Sequence, residues 1–175
     1  MRVFFAALPD PDTRARIAVA AAALDPAIPV SPKDYHLTLA FVGEAAQALL
    51  APLRQIGASQ RGRPFSVRFD RYEHWPVPRV LVLAASAVPD ALQSLWHALH
   101  ADLAAQPLAL ALAPQDLRPH VTIARKVAQA PVLPALSPFI WTPREFHLMQ
   151  SSLSGAAPRY TVVDTWPLLD ESTAG

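Results

Sequence analysis

Two stretches decide the reading of this chain: His36-Leu37-Thr38-Leu39-Ala40-Phe41-Val42-Gly43 and Pro119-His120-Val121-Thr122-Ile123-Ala124-Arg125. Each carries a His-x-Thr tripeptide in alternating apolar, β-branched or aromatic sequence that ends at a turn residue or a charge, the pattern of a strand. Side chains at i and i+2 of a strand leave the same face. Each copy therefore presents an imidazole beside a hydroxyl, while Leu37 or Val121 turns into the core. Two such strands facing each other build a cleft with two histidines and two threonines. With six His and seven Thr in 175 residues, random placement gives only about 0.2 copies of the tripeptide. The competing reading is two ordinary strands with satisfied histidines, and the matching context of the pair weighs against it. Two imidazoles suit a reaction that removes one proton and delivers another in the same step.

Composition bounds the answer. With 175 residues and 52% apolar content the chain has enough to bury a core as one domain of two lobes, residues 1–175. There is no cysteine, which excludes disulfides, thiolate metal sites and a cysteine nucleophile, and fits a reducing cytoplasm. The longest apolar runs, Ile17 to Leu24 and Leu108 to Ala113, fall far short of a membrane span. The opening Val3-Phe4-Phe5-Ala6-Ala7-Leu8 is too short for a signal peptide and runs at once into Pro9-Asp10-Pro11-Asp12. A net charge of +1 creates no broad field for nucleic acid, so a polyanion has to be held locally. The cations are 13 Arg against 2 Lys. Most of these reflect compositional bias, with Arg125 singled out as a phosphate ligand, because the planar guanidinium matches two oxygens at once.

Along the chain, Met1 to Leu8 reads as a strand, Asp12 to Leu24 as a helix, and Pro26 to Asp34 as a loop before the first His strand. Glu44 to Ile56 reads as helical. Pro64 to Trp75 and Arg79 to Ala84 read as a hairpin around Pro76-Val77-Pro78. Asp90 to Gln106 carries Leu92, Leu95, Trp96, Leu99 and Leu103 on one helical face. Pro131 to Pro138 reads as a loop, and Arg144 to Leu153 and Tyr160 to Trp166 as a last pair of strands. Both halves thus read strand, helix, loop, His strand. That internal repeat predicts an α+β fold of two lobes with approximate two-fold symmetry, the motifs meeting at the junction; the other topology is an undivided α+β sandwich.

The chain resembles the 2H phosphoesterase superfamily, and within it the bacterial RNA 2',3'-cyclic phosphodiesterases, also called 2'-5' RNA ligases. The resemblance rests on Met1-Arg2-Val3-Phe4-Phe5-Ala6, on both His-x-Thr motifs at their separation, and on the closing stretch from Leu153 to Tyr160-Thr161-Val162-Val163. Pro158, with Gly155 displaced upstream, departs from the family pattern. The resemblance implies two pseudo-symmetric lobes of antiparallel sheet, helices outside, a central cleft, and metal-independent, cofactor-free hydrolysis of RNA 2',3'-cyclic phosphate ends to 2'-phosphates. It implies His36 as proton donor and His120 as proton acceptor, with Thr38 and Thr122 on the phosphoryl oxygens, Arg125 on the substrate and Phe41 against a base. It further implies an RNA or small cyclic nucleotide as the partner of a cytoplasmic monomer. The residues alone do not order the two histidines, and Phe41 reads equally as a core aromatic.

The chemistry agrees with that reading. In-line attack of water on a cyclic phosphate needs an acid and a base on opposite sides of phosphorus, and charge growing on the non-bridging oxygens needs preorganised donors. By microscopic reversibility the same site joins a 5'-hydroxyl to a cyclic phosphate without ATP, and the chain has no Gly-rich loop ending in Gly-Lys-Ser/Thr to hold a nucleoside triphosphate. Two alternatives stay open: a phosphodiesterase for another cyclic or 2',5'-linked nucleotide, and an RNA-end binding protein without turnover. His97 and His100, three apart near Asp102, lack further ligands for a metal and read as a half-exposed helix face. His74 and His147 read as strand-end residues, and Tyr72 and Trp75 as strand packing or base-stacking groups.

Overall fold

The computed structural model describes residues 2–24, 29–44, 46–106, 116–151 and 159–170. Its strands form two four-stranded antiparallel sheets. β1 (Arg2–Ala7), β2 (Leu37–Glu44), β7 (Glu145–Ser151) and β8 (Tyr160–Pro167) make one, in the order β2-β1-β7-β8. β3 (Val67–Trp75), β4 (Val80–Ala85), β5 (His120–Arg125) and β6 (Phe139–Trp141) make the other, in the order β5-β4-β3-β6. Each His strand is an edge strand paired with the first strand of its own half. The fold is α+β and two-lobed, and in strand order β2 corresponds to β5 and β1 to β4.

Among the described residues three α-helices, α1 (Pro11–Ala22), α2 (Leu50–Ser59) and α3 (Asp90–Ala104), cover the sheets. The Asp10 carboxylate caps α1, accepting from the Thr13 backbone N–H at 2.9 Å and the Thr13 hydroxyl at 2.7 Å. Pro11, with its φ preset, starts the helix one residue before the expected Asp12. The crossover helices are exchanged between lobes: α1, between β1 and β2 in the chain, packs against β5, and α3, between β4 and β5, packs against β2. The Tyr72 hydroxyl fastens β3 to α1 by donating to the Ala20 carbonyl at 2.9 Å. Leu92, Leu95, Leu99 and Leu103 of α3 join Leu37, Leu39, Val121 and Ile123 in one hydrophobic core common to both sheets. The backbone N–H of Val30 donates to the Ile123 carbonyl at 2.9 Å, tying the loop before β2 to the opposite lobe.

The expected helix over Glu44 to Ile56 is corrected. β2 runs on to Glu44, which pairs with Arg2, one turn of 3-10 helix spans Gln47–Leu49, and α2 begins only at Leu50. Pro52 explains the shift: lacking an N–H and clashing with the preceding turn, it is tolerated in a helix's first turn and not in its interior. β6 went unread because three residues after a Pro-rich loop show no alternation; it pairs with Val67–Phe69. The Leu108 to Ala113 run and the Gly155 to Pro158 departure lie outside the described residues. No helix among the described residues is long and apolar enough to cross a membrane.

Gly57 lies buried in α2 with the Trp166 ring directly over it, leaving no room for a Cβ. Gly57→Ala therefore lowers the melting temperature although alanine is the better helix former, because overpacking costs about 1–3 kcal/mol and outweighs the propensity gain of about 1 kcal/mol. A thermal scan that finds this variant equal to or more stable than the parent removes the packing account.

Candidate active site

Both His strands carry the same irregularity. In β2, Thr38 pairs with Ala6 and Ala40 with Phe5, which leaves Leu39 as an extra residue; in β5, Thr122 pairs with Val82 and Ala124 with Leu81, which leaves Ile123 extra. Each bulge delays the alternation by one position. Leu39 and Ala40 both enter the core, as do Ile123 and Ala124. The next outward side chain is therefore three residues after the threonine, Phe41 in one strand and Arg125 in the other. Unbroken alternation would have sent both away from the hydroxyls.

The faces so formed meet where β2 and β5 approach each other across the lobe junction. A cavity of about 310 Å³ opens there, lined by His36, Thr38, Phe41, Thr122 and Arg125 together with Phe4, Tyr160, Arg2, Ser151 and Arg159. Five of the six expected residues thus line one space. His120 stands outside this lining, with its ring 4.4 Å from that of Trp75. Phe41 is 53% exposed, so it is a cleft aromatic and not a core one. A larger cavity of about 560 Å³, between α1 and residues 135–139, is mostly apolar and, among the described residues, holds no histidine or carboxylate.

The two imidazoles are anchored alike. His36 Nδ1 lies 2.8 Å from the Asp34 carbonyl and His120 Nδ1 2.6 Å from the Arg118 carbonyl, each two residues upstream. A carbonyl only accepts, so Nδ1 carries the hydrogen in both rings and Nε2 is left for chemistry. Burial, with help from the nearby Arg125 and His120, lowers the His36 pKa from 6.5 to about 4, against the opposing hydrogen bond to Asp34. Burial also lowers His120; there the Arg118 carbonyl and the Glu73 carboxylate oppose the fall while the Arg118 charge adds to it.

Beyond this frame the two sides differ. His36 sits between aromatic rings, with Phe4 at 5.0 Å and Tyr160 edge-on at 4.9 Å, and the Tyr160 hydroxyl accepts from Arg125 at 3.2 Å. His120 rests on Trp75, whose indole N–H donates to Glu73 at 2.7 Å. The same carboxylate accepts from Arg118 at 2.6 Å and from Arg71 at 2.7 Å, and the Arg118 guanidinium lies 4.5 Å from the Trp75 ring centre. Burial raises Glu73, but the Trp75 and Arg71 hydrogen bonds and the adjacent guanidinium charges bring it below its ordinary value.

Sequence reasoning missed Phe4, Glu73, Arg118, Arg2 and Arg159; Tyr160 entered only with the resemblance, and Trp75 as a strand-packing or base-stacking group. His147 is not a strand-end residue. It lies inside β7 and is 4% exposed, with Nδ1 2.9 Å from the Thr165 hydroxyl. His100 donates from Nδ1 to the Trp96 carbonyl at 2.8 Å and lies on the Trp96 ring. Among the described residues no group of three or more histidines and carboxylates is placed to hold a metal ion.

A family model described as the 2'-5' RNA ligase superfamily matches residues 9–154. An RNA 2',3'-cyclic phosphodiesterase of Thermus thermophilus is 30% identical over 98% of this chain and 92% of its own length. One of Escherichia coli is 30% identical over 80% of this chain and 79% of its own. The crystal structure of E. coli LigT complexed with 3'-AMP matches with a TM-score of 0.87 at 27% identity, covering 97% of this chain and 98% of that one.

The depressed His36 pKa has a consequence for folding. Between about 4 and 6.5 the unfolded chain binds a proton that the folded chain refuses, so stability falls as pH falls through this window. The share of this one group is at most about 3 kcal/mol. His36→Asn flattens the decline when denaturant midpoints are measured from pH 7 to pH 4; an unchanged slope contradicts it.

Proposed function

The chain belongs to the 2'-5' RNA ligase superfamily, and on that basis we propose that it hydrolyses RNA 2',3'-cyclic phosphate ends to 2'-phosphates by acid–base catalysis between His36 and His120. The observation that carries the proposal is the duplicated face, two bulged strands each offering an imidazole with a free Nε2 beside a threonine hydroxyl.

The cyclic phosphate lies between the histidines, its non-bridging oxygens accepting from the Thr38 and Thr122 hydroxyls and from Arg125. His120 Nε2 takes a proton from water as the water oxygen bonds to phosphorus. The P–O3' bond breaks, and His36 Nε2 delivers its proton to the departing O3'. A 2'-phosphate and a free 3'-hydroxyl result, and solvent exchange restores both rings. His36 must be protonated to act; the phosphate anion, seated on Arg125, offsets the cation that opposes its charging. The hydroxyls and guanidinium, fixed in a partly buried cleft, stabilise the charge that grows on the oxygens. The exposed Phe41 ring takes the terminal base by stacking. A 5'-hydroxyl in place of water runs the step in the joining sense, forming a 2'-5' bond at the expense of the cyclic ester. The enzyme works in this reading as a cytoplasmic monomer without metal or cofactor.

The test is turnover of a short RNA ending in a 2',3'-cyclic phosphate, in chelator, with the position of the product phosphate determined. His36→Ala and His120→Ala each lower kcat about 10²–10⁴-fold, and Thr38→Ala and Thr122→Ala about 10²-fold, with circular dichroism unchanged. Near-full activity of either histidine variant rules out the paired mechanism, and a 3'-phosphate product overturns the assigned cleavage of P–O3'.

A further inference from the structure

We propose that the cleft holds a second anion subsite, formed by Arg2 and Arg159, for the phosphate on the 5' side of the terminal nucleotide. This rests on the function proposed above and adds to it that the preferred substrate is a chain end and not an isolated nucleoside cyclic phosphate.

The pairing of the first sheet sets out the argument. Ala6, Phe4 and Arg2 alternate along β1 and so share the cleft face. Ala6 stands opposite Thr38, Phe4 opposite Phe41, and Arg2 opposite Glu44 on one side and Ser151 on the other, with Ser151 paired in turn to Tyr160, the neighbour of Arg159. Rows two residues apart are separated by about 6.8 Å. A hydroxyl row is therefore followed by an aromatic row and then by the row of Arg2, which ends at Tyr160 beside Arg159. A terminal nucleotide of RNA presents the same succession: cyclic phosphate, nucleoside, phosphate. Arg2 and Arg159 both line the cavity that contains His36 and Thr38, so their side chains extend back toward the aromatic row.

The charges of the cavity point the same way. Among the described residues three arginines and no carboxylate line it, more cation than one phosphate on Arg125 uses. The acid facing Arg2 is Glu44, 3.9 Å from Nε with both side chains more than half exposed, a pair too loose to hold the guanidinium against a phosphate. Arg159 sits with its guanidinium 5.6 Å from the ring centre of Tyr160, which the pairing places in the row of Arg2.

Calorimetric binding of a nucleoside 2',5'-bisphosphate and of the matching 2'-monophosphate to the full chain tests the subsite without turnover. The bisphosphate binds about tenfold or more tightly. Arg2→Ala and Arg159→Ala each shrink that ratio, Arg2→Lys retains part of it, and Glu44→Gln enlarges it. Equal affinity of the parent for the two ligands, or a ratio that survives the double variant Arg2→Ala/Arg159→Ala, overturns the proposal. Hydrolysis is scored separately. An inactive protein that keeps the ratio discards the catalytic reading and leaves the subsite, whereas an active protein with a ratio near one discards the subsite alone.

Discussion

Leu39 and Ile123 are the two residues on which the cleft depends. Each is an unpaired insertion in an edge strand, at the same distance from its motif histidine, and each sends two successive apolar side chains into the core. Core burial drives the bulge, since a slip back into even alternation would expose one apolar residue and bury Phe41 or the charged Arg125 in its place. The functional face is thus held in shape by the opposite face of the same strand.

On that common frame the sequence writes two different sides. The Nδ1–carbonyl anchors and the threonines repeat, but the third residue of each face is a ring in one lobe and a cation in the other. The surroundings diverge as well, Phe4 and Tyr160 around His36 against Trp75, Glu73 and Arg118 around His120. A symmetric pair of imidazoles by itself has no preferred direction for a substrate. The differences outside the repeat supply one, with an exposed ring at Phe41 on one side of the cavity and a guanidinium at Arg125 on the other.

The repeat, the antiparallel lobes and the meeting of the motifs were legible because they rest on period-two alternation and on spacing. Leu37 and Val121 face the core and Thr38 and Thr122 the cleft as alternation demands. Phe41 was ambiguous because a bulge shifts the face without leaving a signature in apolar residues such as Leu39-Ala40. Glu73, Trp75 and Arg118 come together from β3 and the segment before β5, and the register that joins strands so far apart in the chain is not written locally. His147 reads as polar and therefore peripheral, yet Thr165 on the next strand gives its Nδ1 a partner inside the sheet. The start of α2 was misjudged for a local reason: the apolar spacing of residues 49–56 is helical, while Pro52 restricts where that helix can begin.

The exchange of crossover helices between lobes bears on how the cleft behaves. Had each helix covered its own sheet, the lobes would meet along a single seam and could part as two bodies. Here each lobe carries the other's helix, and both sheets share one core. Opening the cleft would strip apolar surface from two places at once, at a cost comparable to partial unfolding. Its width is set when the chain folds, and the conformational entropy of bringing the two His strands together is paid at that stage and not at each encounter with a ligand. A cleft of fixed width discriminates by shape at its mouth, as a gauge does, and has no need of a closing motion.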